Sequence, residues 1–298
     1  MNVMSPTPEM RWLLAAAVGI TGLLVGSFLN VVIFRLPRDC MSIVRPRSRC
    51  IQCLRAIRWT ENLPVVSWLA LRGRCRGCGA RISARYPLVE LLTGAIFLAE
   101  GWAVFVQEAS PIGPERIVSG AVTLAIVGAL IACTFIDLEF RIIPDEISVG
   151  GMLAGLALGA AFPEWHVDRG IPNVYSGVKF HLAGLTWSLL GGLVGAGVLW
   201  VIGVAGKLVF RREAMGYGDV KLMGFLGTML GWKGALAALV LACFVGSVIG
   251  LARLIFVRDR EIPFGPFLSV GAALLLFFTR QIDSLLSRLF GGMIRLLP

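Results

Sequence analysis

The sequence predicts an all-α protein, a polytopic bundle of about eight transmembrane helices with a small zinc-binding cytoplasmic insertion. Three observations predict it. Of 298 residues, 57% are hydrophobic and only 15% charged, with a mean hydropathy of +0.81, which is not the composition of a soluble domain of this length. The apolar residues fall in long runs of membrane-crossing type. The net charge of +10 is concentrated in one polar stretch, where two cysteine knuckles also lie.

The elements follow in order. Residues 1–34 read as a first transmembrane helix, because the apolar stretch 12–34 is too long for a signal-peptide core and no small-residue cleavage site follows it. Residues 35–85 hold twelve arginines against Asp39 and Glu61. That excess marks a cytoplasmic loop by the positive-inside rule and suits contact with anionic lipid headgroups; no nucleic-acid partner is called for. Residues 86–279 hold seven further apolar segments, 87–106, 117–136, 147–162, 181–206, 220–231, 235–257 and 264–279. The sixth is short for a full span, and its Gly224, Gly227 and Gly231 predict close helix packing. Cys133 and Cys243 read as packing residues in helices. Residues 163–180, with Trp165, His166, Pro172 and Tyr175, read as an external connection near the interface. In the tail, 280–298, Leu285, Leu286, Leu289, Phe290 and Ile294 recur at helical spacing, as in an interfacial amphipathic helix.

Counting crossings from a cytoplasmic 35–85 brings Asp137, at the end of the third segment, and Asp219, at the start of the sixth, to the same membrane face. Lys207, Arg211 and Arg212, and later Arg258 and Arg260, return to that face as the rule requires.

Cys50 and Cys53, then Cys75 and Cys78, form two C-x-x-C knuckles separated by 21 residues. This is the spacing of a four-thiolate zinc site. Paired disulfides are the alternative, disfavoured in a reducing compartment. Four cysteines close the coordination sphere, so the metal is expected to organise a segment too poor in aliphatics to build its own core.

Carboxylates at the ends of apolar segments are costly and mark functional sites. Two on one face suit aspartyl proteolysis: one ionised Asp activates water while its protonated partner hydrogen-bonds the scissile carbonyl. Gly216 and Gly218 leave room beside Asp219 for an extended substrate backbone. The other readings are a carboxylate-lined transporter or proton channel, an intramembrane protease of other substrates, a cap of the fourth helix at Asp145, and a local ion pair between Asp219 and Lys221.

Motifs spread over nearly the whole chain resemble the bacterial type IV prepilin peptidases, the prepilin leader peptidase/N-methyltransferases. They are the run from Gly26 to Pro37, the two knuckles with Trp59 to Leu69 between them, Ile82 to Gly94, Asp137 to Asp145, Gly216 to Leu222, and Pro263 to Leu268. The chain departs from the family pattern at Ile51, Thr60 and Tyr217. The resemblance implies an inner-membrane aspartyl endopeptidase that cleaves leaders of type IV prepilins and type II secretion pseudopilins after a glycine at the cytoplasmic face. It makes Asp137 and Asp219 the catalytic pair, with Asp145 supporting. It also implies N-methylation of the new N-terminus from S-adenosylmethionine, whose binding residues the sequence leaves unassigned; Glu61 is a candidate grip for a substrate ammonium or this cofactor.

Overall fold

A computed structural model describes residues 6–38, 42–107, 112–167, 176–211, 215–256 and 263–289. Cys40, Pro172 and Tyr175 fall outside the described residues, as do 290–298 of the expected tail. The described chain is all-α. Its helices are α1 (Pro8–Arg35), α2 (Val66–Ala70), α3 (Arg85–Trp102), α4 (Pro114–Phe140), α5 (Asp145–Ala161), α6 (Glu164–Val167), α7 (Val178–Phe210), α8 (Tyr217–Phe256) and α9 (Gly265–Leu289). Among the described residues, five stretches are long and apolar enough to cross a membrane: Pro8–Arg38, Arg85–Gln107, Pro114–Phe140, Val178–Val209 and Tyr217–Arg253, with Gly265–Thr279 a shorter apolar helix. Every one of the eight expected apolar segments falls on a helix, but the sixth and seventh share α8.

The chain divides into two compact units, Met1–Ala132 and Cys133–Pro298, with the division inside α4. In the first unit, α1 opens on Thr7, whose hydroxyl accepts the Met10 N–H, with Pro8 at the first helical position. Its small-residue face packs on α3: a Cβ at Gly26 would come within 2.7 Å of the Glu90 Cα. Asn30, buried in this seam, donates to Tyr86 O at 3.0 Å. The Arg35 guanidinium then donates to Ser42 O and Pro46 O at 2.9 and 2.7 Å, folding the basic segment back over the end of α1.

In the second unit the core is aliphatic and aromatic, with Leu199, Leu222, Met223, Phe225, Leu226 and Leu268 almost fully buried. The break in α8 is at Gly231, whose φ of 71° and ψ of 173° are non-helical and readily taken only by glycine. A Cβ on Gly195 would meet Met223 O at 2.5 Å and the Ala235 Cβ at 3.6 Å. On an unbroken helix those residues, 235 − 223 = 12 apart, would be about 18 Å apart. The chain therefore doubles back at Gly231, and α8 is a hairpin of two helical arms. Gly227 packs against the Gly191 backbone of α7, the close approach expected of this glycine-bearing segment.

Other expectations are corrected here. Trp165 and His166 are not exposed on a connecting loop. They sit on α6, 6% and 0% exposed, with Trp165 Nε1 donating to Met229 O and His166 Nε2 paired with Ser188 Oγ, both at 2.7 Å. Polar ring edges with such partners are as easily buried as exposed. Cys133 is buried as expected, whereas Cys243 lies exposed on its helix. The apolar part of α9 stops at a non-helical residue, Phe278 (φ −122°, ψ 22°), just before the expected tail begins.

Candidate metal centre and carboxylate pair

The metal centre lies wholly in the first unit. Each cysteine knuckle is closed in the same way. Cys50 N–H donates to Arg55 O and Leu54 N–H to Cys50 O, at 3.0 and 2.9 Å; Cys75 N–H donates to Ala80 O and Gly79 N–H to Cys75 O, at 2.8 and 2.9 Å. Leu54 and Gly79 accept positive φ, 56° and 71°, to make these turns. The four sulfurs lie within 4.8 Å of one another, with Cys50 to Cys78 at 3.8 Å and Cys53 to Cys75 at 4.0 Å. Zn–S bonds of about 2.3 Å give a tetrahedron with edges of about 3.8 Å, so the donor set fits zinc. All four thiols are free and stand well beyond the roughly 2.05 Å of a disulfide. Backbone N–H groups of Cys78 and Gly77 pull the Cys75 thiol down to about 6, while, against the pull of the Ala80 N–H, burial and the neighbouring sulfurs push Cys78 up to about 11, so a full set of thiolates here calls for a cation among them.

Around the knuckles, Glu61 is fully engaged. Arg55 Nη2 donates to both its carboxylate oxygens at 2.6 Å, Arg58 N–H donates to Oε2 at 3.2 Å, and Arg76 stands 3.7 Å away. The Arg55 hydrogen bond holds this carboxyl below the ordinary range. Glu61 is therefore an internal brace of the loop and not a free grip for a ligand. Sequence reasoning missed Glu90: its buried carboxylate accepts the Val65 N–H at 2.7 Å and so ties the loop to α3. An acid inside an apolar run was the signal that pointed to it. For S-adenosylmethionine, the described residues provide two isolated β-bridges, Arg49–Ala56 and Arg74–Arg81, and no glycine-rich strand-to-helix turn. They do not form a sheet-based cradle for such a cofactor.

The carboxylates lie in the second unit. Asp137 occupies the last turn of α4; its carbonyl accepts the Arg141 N–H at 2.9 Å, and Arg141 turns the chain at a φ of 58°. Asp137 is 6% exposed, and its Oδ2 is buried with no hydrogen-bond partner among the described residues. Asp219 stands in the first turn of α8, half-buried, within electrostatic reach of Asp137.

Ile143, in the α4–α5 connection, joins the two. A Cβ on Gly218 would lie 3.1 Å from the Ile143 Cβ, and one on Gly265 would lie 3.1 Å from the Ile143 Cδ1 and 2.6 Å from Asp137 Oδ2. A Cβ on Gly216 would stand 3.4 Å from Asp219 Oδ2, so the bare face of Gly216 is turned to that carboxyl, while that of Gly218 is met by Ile143. Lys221 pairs with Asp145, not with Asp219: its Nζ donates to Asp145 Oδ1 and Oδ2 at 2.7 and 2.9 Å. Pro144, not Asp145, is the N-cap of α5. Trp200, Val204, Lys207, Met215, Tyr217 and Val220 line a pocket of about 60 Å³ between α7 and the start of α8, and Asp219 is not part of that lining.

Two family models match the chain: the bacterial peptidase A24 N-terminal domain over residues 20–104 and the type IV leader peptidase family over residues 124–251. A prepilin leader peptidase/N-methyltransferase of Aeromonas hydrophila is 35% identical over 92% of this chain and 93% of its own length. One of Stutzerimonas stutzeri is 36% identical over 89% and 91%. One of Myxococcus xanthus is 42% identical over 82% of this chain, which spans 64% of that relative's length. No solved structure matches the chain.

Proposed function

The chain belongs to the type IV leader peptidase family, peptidase A24, and we propose that it is a multi-pass prepilin leader peptidase/N-methyltransferase of the bacterial inner membrane. It hydrolyses the leaders of prepilins and pseudopilins after a glycine at the cytoplasmic face. The observation that carries this reading is the packing of Ile143 between Gly218, which precedes Asp219, and Gly265, which faces Asp137 Oδ2, an oxygen without a partner among the described residues.

The pair shares one proton. The ionised carboxylate removes a proton from water as that water adds to the scissile carbonyl. The protonated carboxyl hydrogen-bonds the carbonyl oxygen and stabilises the charge developing there. Collapse of the tetrahedral intermediate breaks the C–N bond, and the departing amine takes up a proton from the pair. Gly216 leaves room beside Asp219 for the substrate backbone.

The helical arms amount to eight membrane crossings once α8 is counted as a hairpin. The expected domain division at 34, 85 and 279 follows from this count. Zinc held by Cys50, Cys53, Cys75 and Cys78 organises the loop. The exposed Arg45, Arg47 and Arg49 face anionic lipid. S-adenosylmethionine, when bound, would supply the methyl group for the new N-terminal amine; no described residue is assigned to hold it.

Mass spectrometry of a co-expressed prepilin tests the reading in one measurement. Cleavage after the leader glycine together with an added methyl group is the expected result. A prepilin left whole by abundant, folded protein would overturn it.

A further inference from the structure

We infer that the start of α9 is a third wall of the carboxylate site, and that Gly265 is a positioning residue for Asp137. The inference rests on the proposed role of Asp137 in proteolysis. In the first turn of α9, Pro266 has no N–H to give, and the Phe267 and Leu268 N–H groups both go to Phe264 O. The Gly265 N–H is a donor that the helix itself does not use, and the bare face of Gly265 lies against Asp137 Oδ2.

Space at this point is as tightly set as polarity. A methyl on Gly265 would stand 2.6 Å from Asp137 Oδ2 and 3.1 Å from the Ile143 Cδ1. The first distance is far inside van der Waals contact. Asp137 is on the last turn of a helix and is 6% exposed, so its carboxyl has little freedom to retreat. Ile143 is in turn held by Gly218, one residue before Asp219. Gly265 thus sets where the Asp137 carboxyl sits, and Ile143 carries that placement across to Asp219. Neither residue need touch substrate.

The test is steady-state cleavage of a synthetic prepilin peptide by the full chain in detergent. It compares wild type with Gly265→Ala, Ile143→Ala, Gly265→Ala/Ile143→Val and, as control, Asp137→Asn. Displacing a reacting group by a fraction of an ångström should lower kcat by about tenfold or more in Gly265→Ala. KM should stay within about twofold, because the peptide-binding surface is untouched. Trimming Ile143 to Val in the Gly265→Ala background should recover part of kcat, since the new methyl can then move away from the carboxyl.

Wild-type kcat in Gly265→Ala, or a loss in KM alone, overturns the inference. If Gly265→Ala does not fold, Ile143→Ala decides: it opens space without a clash, so an unchanged kcat overturns the inference and a lowered kcat at constant KM upholds it. Full activity in Asp137→Asn would instead overturn the proteolytic reading itself.

Discussion

At the scale of single residues, Asp137 and Glu61 differ by what surrounds them. Asp137 is buried with one oxygen unclaimed by any described group. Glu61, by contrast, is satisfied by Arg55, Arg58 and Arg76. Substituting Asp137→Asn or Asp219→Asn removes a proton-transfer group without changing shape, so cleavage should fall by at least about a hundredfold with thermal stability kept. Residual activity near wild type in either variant would remove paired-aspartate catalysis.

Glu61 makes a different prediction. Arg55 holds its folded-state carboxyl below the ordinary value. Its support of the loop is therefore complete above about pH 4.3, the unfolded carboxyl's range, and is lost as pH falls through the lowered folded value. Fluorescence of Trp59 and Trp68 should report loosening of the wild-type loop on that acid limb. Glu61→Gln should be looser at neutral pH and show little change across it. An identical acid transition in both proteins would contradict the assignment.

The knuckles and the aspartates were legible in the sequence because their chemistry is declared by residue type and local spacing. Gly265 and Ile143 were not. Neither carries a reactive group, and the contact between them joins positions 265 − 143 = 122 apart.

At the scale of elements, the α4–α5 connection and the start of α8 are drawn together by Ile143 on the inside and by the Lys221–Asp145 pair on the outside. The pair is exposed, so its thermodynamic worth is small, roughly 0.2–1 kcal/mol. Its effect should appear in the rate. Asp145→Lys or Lys221→Asp alone should lower kcat by a fewfold, and the exchanged double variant should recover most of it. Failure of the exchange to recover activity, in protein of normal thermal stability, would show that the pair has no positioning role.

Apolar runs of helical length revealed the helices themselves, and the sixth segment was expected to stop at the residue where α8 turns. Partner choice was less legible. Lys221 has one acid two residues away and another 221 − 145 = 76 residues away, and the distant one wins. Residues i and i+2 on a helix point to different faces. The burial of Trp165 and His166 was illegible for a related reason, since amphipathic rings signal burial and interface equally until their polar atoms find partners.

At the scale of the whole molecule, the polar segment of the first unit carries a four-cysteine cluster whose spacing fits zinc, and the second unit is built on packed apolar arms. Replacing Cys50 and Cys78 together by Ser should take bound zinc from one per chain to none, because half the thiolates are gone. The loop should then be cut by added protease about tenfold faster, and methylation should be lost before leader cleavage. Metal analysis, limited proteolysis and mass spectrometry of the product check the three effects. Full zinc content in that variant would contradict the four-thiolate site.

The turn at Gly231 has a further consequence. The arm from residue 217 to residue 230 holds fourteen residues and rises about 21 Å, against a hydrocarbon layer of about 30 Å. Residues 222–230 of that arm are buried, so its neighbours there are other helices and not lipid. On the proposed reading, a helix shorter than those around it ends in a recess within the bundle. Water can come down that recess to Asp219 without any pore, and a peptide bond just outside a membrane helix can be reached without unwinding the helix.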